Sequence, residues 1–191
     1  MKNAPKVLCF GEALVDRLSS LGGNIAKDDL RNDCLGGAPA NVACGLANLG
    51  VEVAFIGNLG NDKIGNKFSK LMLNRGVNTS CLQIDQLLPS RVVLVKRDLN
   101  GERSFGGFIG NTGLGFADES IGLNLLESNW PLIFNEANWL LVGTIPLAFQ
   151  KSSQTFWWCI EKALSKGIEI AVDVNWRPVF WNVDAPVDQG P

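Results

Sequence analysis

Apolar residues along this chain fall into short runs that alternate with helical stripes. KVLCF, from Lys6 to Phe10, is an apolar run ended by Gly11 and predicts a buried strand. In the following decamer from Ala40 to Leu49, the residues Val42, Ala43, Leu46, Ala47 and Leu49 recur at helical spacing. Pro39 lies near the first turn and Gly50 beyond the last, which predicts a helix. VEVAFIG follows at once as a strand. Asp62 is placed to cap a second helix carrying Ile64, Phe68 and Leu71 on one face, and Gly76 is placed to end it. A further unit runs from the strand NWLLVG (Asn138 to Gly143) through a helix from about Ser152, with Phe156, Ile160, Ala163 and Leu164 inward. It ends in the strand IEIAVDV, from Ile168 to Val174. Strands alternating with helices predict an α/β fold with a mainly parallel sheet covered on both faces.

One region breaks the alternation. Between Arg91 and Phe108, RVVLVKRDLNGERSFGGF holds two strand-like runs joined around Asn100-Gly101, a strong hairpin signal. Its mixed polar and apolar residues suit a small sheet covered on one side, and predict a flap beside the main sheet, joined by part of Ser19 to Leu35. After Val174, NWRPVFWNVDAPVDQGP brings Trp176, Phe180 and Trp181 with no further element to bury them. Such a pattern suits a fold cut short, a face covered by a partner, or a local turn.

At 191 residues the chain suffices for one domain with a real core, or for a large and a small lobe. With 46% hydrophobic and 19% charged residues it is no disordered tail, and a net charge of −2 gives no bulk attraction to nucleic acid or an anionic membrane. The absence of histidine narrows the chemistry most. It removes Ser-His and Cys-His pairs, histidine general bases and most zinc sites, and leaves acid-base work to Asp, Glu or Lys. Oxygen ligands for a hard cation such as magnesium remain. Cys9, Cys34, Cys44, Cys81 and Cys159 are odd in number and widely spaced. Without a signal peptide or a membrane-length apolar run, they are expected to be reduced thiols in a cytoplasmic protein.

The stretch GGAPANVACGLANLG, from Gly36 to Gly50, sets a double glycine before a helix. It matches neither phosphate motif, because no Lys-Ser/Thr pair follows its last glycine and it begins some twenty-five residues after the first strand rather than directly behind it. It is either an ordinary tight turn or a ligand-facing one. As a ligand turn it supplies exposed N–H groups, room for close approach, and the Asn41 amide, which both donates and accepts. With a carboxylate such as Asp16 in GEALVD, that set suits a polyol.

These residues resemble the PfkB (ribokinase-like) carbohydrate kinases. Gly36, Gly37, Asn41, Ala43, Gly50 and Gly60 fit the family's first signature in register over twenty-five residues. GEALVD, GNDKIG (Gly60 to Gly65), GERSF (Gly101 to Phe105) and DVNWRPVFW (Asp173 to Trp181) support it, the last being most similar to the fructokinase branch. The resemblance implies a ribokinase-like sheet with a β lid, residues 1–191 being part of one kinase domain with lid segments near 12–35 and 88–115. It implies ATP-dependent transfer of a γ-phosphoryl group to a sugar hydroxyl, with ATP and Mg2+ serving the complete enzyme. The sugar is expected to be fructose, and a homodimer through the lid is a further expectation.

By the same resemblance, Asp16, Gly36, Gly37 and Asn41 would hold the sugar, with Phe105 and Phe108 on the flap covering it. Asn175 and Arg177 would lie on the phosphoryl side. Each has a plainer alternative: a solvated carboxylate for Asp16, ordinary packing for the aromatics, and a surface turn with Arg177 paired to an acid. Asp62 reads as a helix cap, and Thr144 aligns only loosely with a sugar contact. The family's second signature, D-T-x-G-A-G-D, which supplies the catalytic aspartate, is not in this sequence; GNTGLG (Gly110 to Gly115) lacks the aspartate. The base is therefore expected beyond the C-terminus and the chain alone is expected to be inactive. Other readings are a sugar-binding or regulatory relative without catalysis, an interaction module acting through its flap, and a 2-keto-3-deoxygluconate kinase-like member.

Overall fold

The computed structural model describes residues 4–23, 33–111 and 113–181. Residues 24–32 of the expected lid segment 12–35, and Thr112 within 88–115, lie outside them. The main sheet has the order β5-β4-β1-β8-β9, built from Val7–Phe10 (β1), Val53–Gly60 (β4), Asn78–Asp85 (β5), Trp139–Gly143 (β8) and Glu169–Asp173 (β9). All four pairings are parallel. Successive side chains on a strand point to opposite faces, so one short strand feeds two cores. Leu8 and Phe10 of β1 join Ile56, Leu140, Val142 and Phe156 in one core, and Cys9 joins Phe55, Leu59, Phe68 and Met72 in the other.

Four helices cover the sheet: Ala38–Asn48 (α1), Lys63–Asn74 (α2), Asn124–Phe134 (α3) and Gln150–Ser165 (α4). The structure decides the buried face of α1 and corrects the one expected for α4. In α1 the buried residues are Pro39, Ala40, Ala43 and Cys44, whereas Val42 and Leu49 are exposed. The helix turns its small side chains inward. In α4 the inward set is Ser152, Thr155, Phe156, Cys159 and Ala163. Leu164 lies one helical step, about 100°, past Ala163 and faces water. Asp62 caps α2 as expected, its Oδ1 accepting from Gly65 N at 2.8 Å.

A second sheet, of order β3-β2-β6-β7, holds Asp33–Gly36 (β3), Leu14–Leu21 (β2), Val92–Arg97 (β6) and Arg103–Ile109 (β7). The Asn100-Gly101 hairpin expected from the sequence is there, β6 and β7 pairing antiparallel. Three residues, Gly11 to Ala13, carry the chain from β1 into β2, and β3 runs within two residues into α1. This small sheet therefore rises from the carboxyl edge of the large one, where open parallel sheets bind ligands.

The tail is also corrected in part. Phe180, in the short helix Pro178–Trp181 (α5), is covered: its ring lies 5.5 Å from Phe108 and 6.3 Å from Phe149. Trp176 and Trp181 stack on each other at 5.1 Å and remain exposed.

Candidate functional site

The sequence reading set Asp16 beside the end of the first strand; the structure puts it inside β2, across from Cys34 of β3 and Val93 of β6. In-register neighbours share a face. Asp16, Val93 and Phe108 therefore form one rung of the lid, and Val95 and Phe105 belong to the same face. Phe105 and Phe108 meet edge to face at 5.0 Å. Asp16 is half-buried; loss of water raises its pKa above the ordinary value, and the charge of Arg103 opposes this.

Asp16 lies over the double glycine. A Cβ on Gly36 would come within 3.3 Å of Asp16 Oδ2, so a side chain there would crowd the carboxylate. Gly37, the residue before α1, has φ 97°, and a Cβ there would lie 2.5 Å from the Glu12 carbonyl oxygen. Both the left-handed backbone and the lack of space require glycine. Asn41 lies in the first turn of α1, its N–H donating to the Gly37 carbonyl at 2.9 Å and its side chain exposed. The turn thus brings together Asp16, two bare backbone residues, a helix start and a free amide.

Asn175 and Arg177 follow β9 at the same sheet edge. Asn175 N donates to the Asp173 carbonyl at 2.8 Å, and Thr144 N, at the end of β8, donates to that same carbonyl at 3.2 Å. The exposed Arg177 donates to the Trp176 carbonyl and pairs with no described acid. Among the described residues no hydrogen bond or ion pair links either of them to Asp16. The fold brings the sugar-side set and this pair to one edge without joining them. No group of three or more His, Cys, Asp or Glu side chains among the described residues is arranged to hold a metal ion.

Two features at this edge escaped the sequence reading. Glu12, in the same GEALVD segment, is 2% exposed; its Oε1 accepts from Ala38 N at 3.1 Å and its Oε2 has no partner. Burial pushes its pKa up to about 7, with its own N–H and that of Ala38 pulling down and Asp118 and Asp173 pushing up. An acid set among Phe10, Gly11, Ala13 and Leu14 was the available signal. The other is Arg91, at the foot of β6. It pairs with Asp118 and Glu119, and its guanidinium lies 4.4 Å from the centroid of Phe116, 4.8 Å from Phe180 and 5.0 Å from Phe108. Partners so far apart in the chain leave no local pattern.

The parallel sheet with its lid defines a sugar-kinase type of architecture. The chain belongs to the pfkB family of carbohydrate kinases, whose pattern matches residues 4–188. It is 33% identical over 180 residues to a fructokinase of Salmonella typhimurium, covering 94% of this chain and 54% of that protein. A probable fructokinase-7 of Arabidopsis thaliana is 30% identical, with 92% and 49% covered. Among solved structures it resembles a fructokinase with bound ATP from Xylella fastidiosa, with a TM-score of 0.78 and 28% identity over 95% of this chain and 56% of that one. A sugar kinase from Pyrococcus horikoshii, PH1459, gives a TM-score of 0.76 at 30% identity, over 92% and 57%. The chain spans about half the length of the relatives it matches.

Proposed function

We propose that this chain is the acceptor-side part of a fructokinase-like enzyme that transfers the γ-phosphoryl group of ATP to a sugar hydroxyl. The observation that carries the reading is the Asp16 carboxylate held over Gly36, at the turn that leads into Asn41 of α1, and on the lid face that bears Phe105. A carboxylate accepts from two hydroxyls, an amide both donates and accepts, and bare glycine backbone allows close approach, which together match a polyol. Phe105 and Phe108 cover the sugar and exclude water from the transfer.

Asn175 and Arg177 face the phosphoryl side, where a guanidinium suits developing negative charge. The donor is ATP, in keeping with the ATP bound to the Xylella relative. Magnesium serves the complete enzyme, held with the phosphates of the nucleotide. The lid serves as a dimer surface. The matched half-length of the relatives and the missing aspartate signature favour a second statement: this chain by itself binds sugar without phosphorylating it.

The test is titration calorimetry of the chain with fructose, alongside Asp16→Ala and a coupled assay with ATP and magnesium. Fructose binding that Asp16→Ala abolishes, with no turnover, is expected. Absence of fructose binding overturns the acceptor reading, and turnover at a normal rate overturns the claim of inactivity.

A further inference from the structure

Glu12 lies directly beneath the sugar-facing turn, yet no part of the proposed transfer uses it. Its Oε1 receives the N–H of Ala38, the first residue of α1, while its backbone carbonyl fills the space that a side chain on Gly37 would need. Both ends of the residue thus press on the same turn. Its other oxygen, Oε2, is buried without a partner beside Gly143, where a Cβ would come within 3.3 Å of it.

The surroundings give a negative charge no cation to pair with, and only the N–H groups of Ala38 and of Glu12 itself favour it. α1 carries no Asp, Glu, Lys, Arg or His, and neither do β1, β4 and β8; the thiols of Cys9 and Cys44 are the titratable side chains there. Of the groups facing Glu12 from other elements, Asp118 and Asp173 are both acids. On β2 the nearest charged residues are Asp16, which turns over Gly36, and Arg17, which is bonded to Asp33. The packing around it is also close. The Pro39 ring is packed so tightly that a Cβ on Gly11 or Gly143 would approach its Cγ to 2.5 or 3.0 Å. Hydrating an ionised Glu12 requires Pro39, and with it the first turn of α1, to move.

We propose that Glu12 is a positioning residue for the acceptor site: its uncharged carboxyl holds the Gly36–Gly37 turn and the start of α1 in the sugar-binding arrangement, and its ionisation releases them. The inference rests on the sugar reading of the turn. It makes sugar affinity a function of acidity near neutrality, in keeping with the raised pKa of about 7. Because Asp16 is a second carboxyl at the same place, the isosteric Glu12→Gln separates the two: it keeps the Ala38 bond and removes the charge.

The experiment is titration of the 191-residue chain with fructose from pH 6 to pH 8.5, with Glu12→Gln and Glu12→Ala. The wild-type dissociation constant is expected to rise roughly tenfold or more over that range. Glu12→Gln should match wild type at pH 6 and stay level, and Glu12→Ala should bind weakly throughout. A level wild-type profile, or the same rise in Glu12→Gln, overturns the inference. If wild type binds no fructose at any pH, the sugar reading falls instead. The role of Glu12 is then decided by the hydrogen-exchange protection factor of the Ala38 amide: a drop through pH 7 in wild type but not in Glu12→Gln sustains it, and equal profiles overturn it.

Discussion

Arg91 and Asp118 meet through two parallel hydrogen bonds, 2.8 Å from Nε to Oδ2 and 2.9 Å from Nη2 to Oδ1, with both side chains almost wholly removed from water. Around them Phe108 of the lid, Phe116 and Phe180 close on the guanidinium. The pair therefore ties lid, base and the segment after β9 at one point. Asp118→Ala leaves a buried cation with only the partly exposed Glu119 for a partner. A loss of about 3–5 kcal/mol is expected in chemical denaturation, and Arg91→Met should cost a similar amount because it leaves the buried Asp118 carboxylate without its partner.

Stability itself should depend on acidity through Glu12. Its pKa is raised from 4.5 to about 7 in the folded chain. A raised carboxyl stabilises fully below its unfolded value, so that contribution is present below about pH 4.5, is lost progressively up to about pH 7, and changes little above. The whole effect is worth about 3 kcal/mol as an upper figure. Other carboxyls titrate in the same range, so the quantity to measure is the difference between wild type and Glu12→Gln. That difference should move in favour of Glu12→Gln from pH 4.5 to 7 and then level off.

Asp16→Asn keeps the shape of the lid strand while removing the charge proposed to accept from sugar hydroxyls. Hydrogen bonds to charged groups contribute about 1.5–3 kcal/mol each. Fructose affinity measured by calorimetry should fall roughly tenfold to a hundredfold. The unfolding midpoint should not fall, because burial outweighs the attraction of Arg103 and raises the Asp16 pKa, so the neutral side chain is the better buried.

Gly37→Ala sets a methyl against the Glu12 carbonyl oxygen at a backbone angle that alanine resists. The strained backbone alone costs roughly 1–3 kcal/mol. Thermal unfolding should drop accordingly, and fructose binding should be lost together with the turn geometry.

Asp62 does more than cap a helix. Its Oδ2 accepts from Ser90 N at 2.7 Å, and its Oδ1 from Ser90 Oγ at 3.0 Å as well as from Gly65 N. Asp62→Ala should exceed the roughly 1 kcal/mol of an ordinary cap. Asp62→Asn keeps the acceptor oxygen and should recover part of the loss in the same denaturation experiment.

Much of this was legible along the chain because the signals are local. KVLCF, VEVAFIG and NWLLVG are strands wherever they are met, Asp62 and Gly76 bracket a helix, and Asn100-Gly101 turns a hairpin. The strand Asn78–Asp85 and the helix Asn124–Phe134 were not anticipated: the first mixes polar and apolar positions without clean alternation, and the second carries Pro131 inside it. Leu164 was misjudged because helical spacing sets which residues share a stripe and not where its border meets the sheet.

By itself the sequence determined the alternation of strand and helix, the kinase family through the register from Gly36 to Gly60, and a chemistry without histidine, since each depends on residue type and spacing. Only the tertiary structure decided that Asp16 lies over Gly36, that Glu12 is shut beneath the turn with an unpartnered oxygen, and that Arg91 finds Asp118 across the molecule. Those relationships depend on burial and on partners distant in sequence, and a carboxyl's charge or a guanidinium's partner exists only once packing has removed the water.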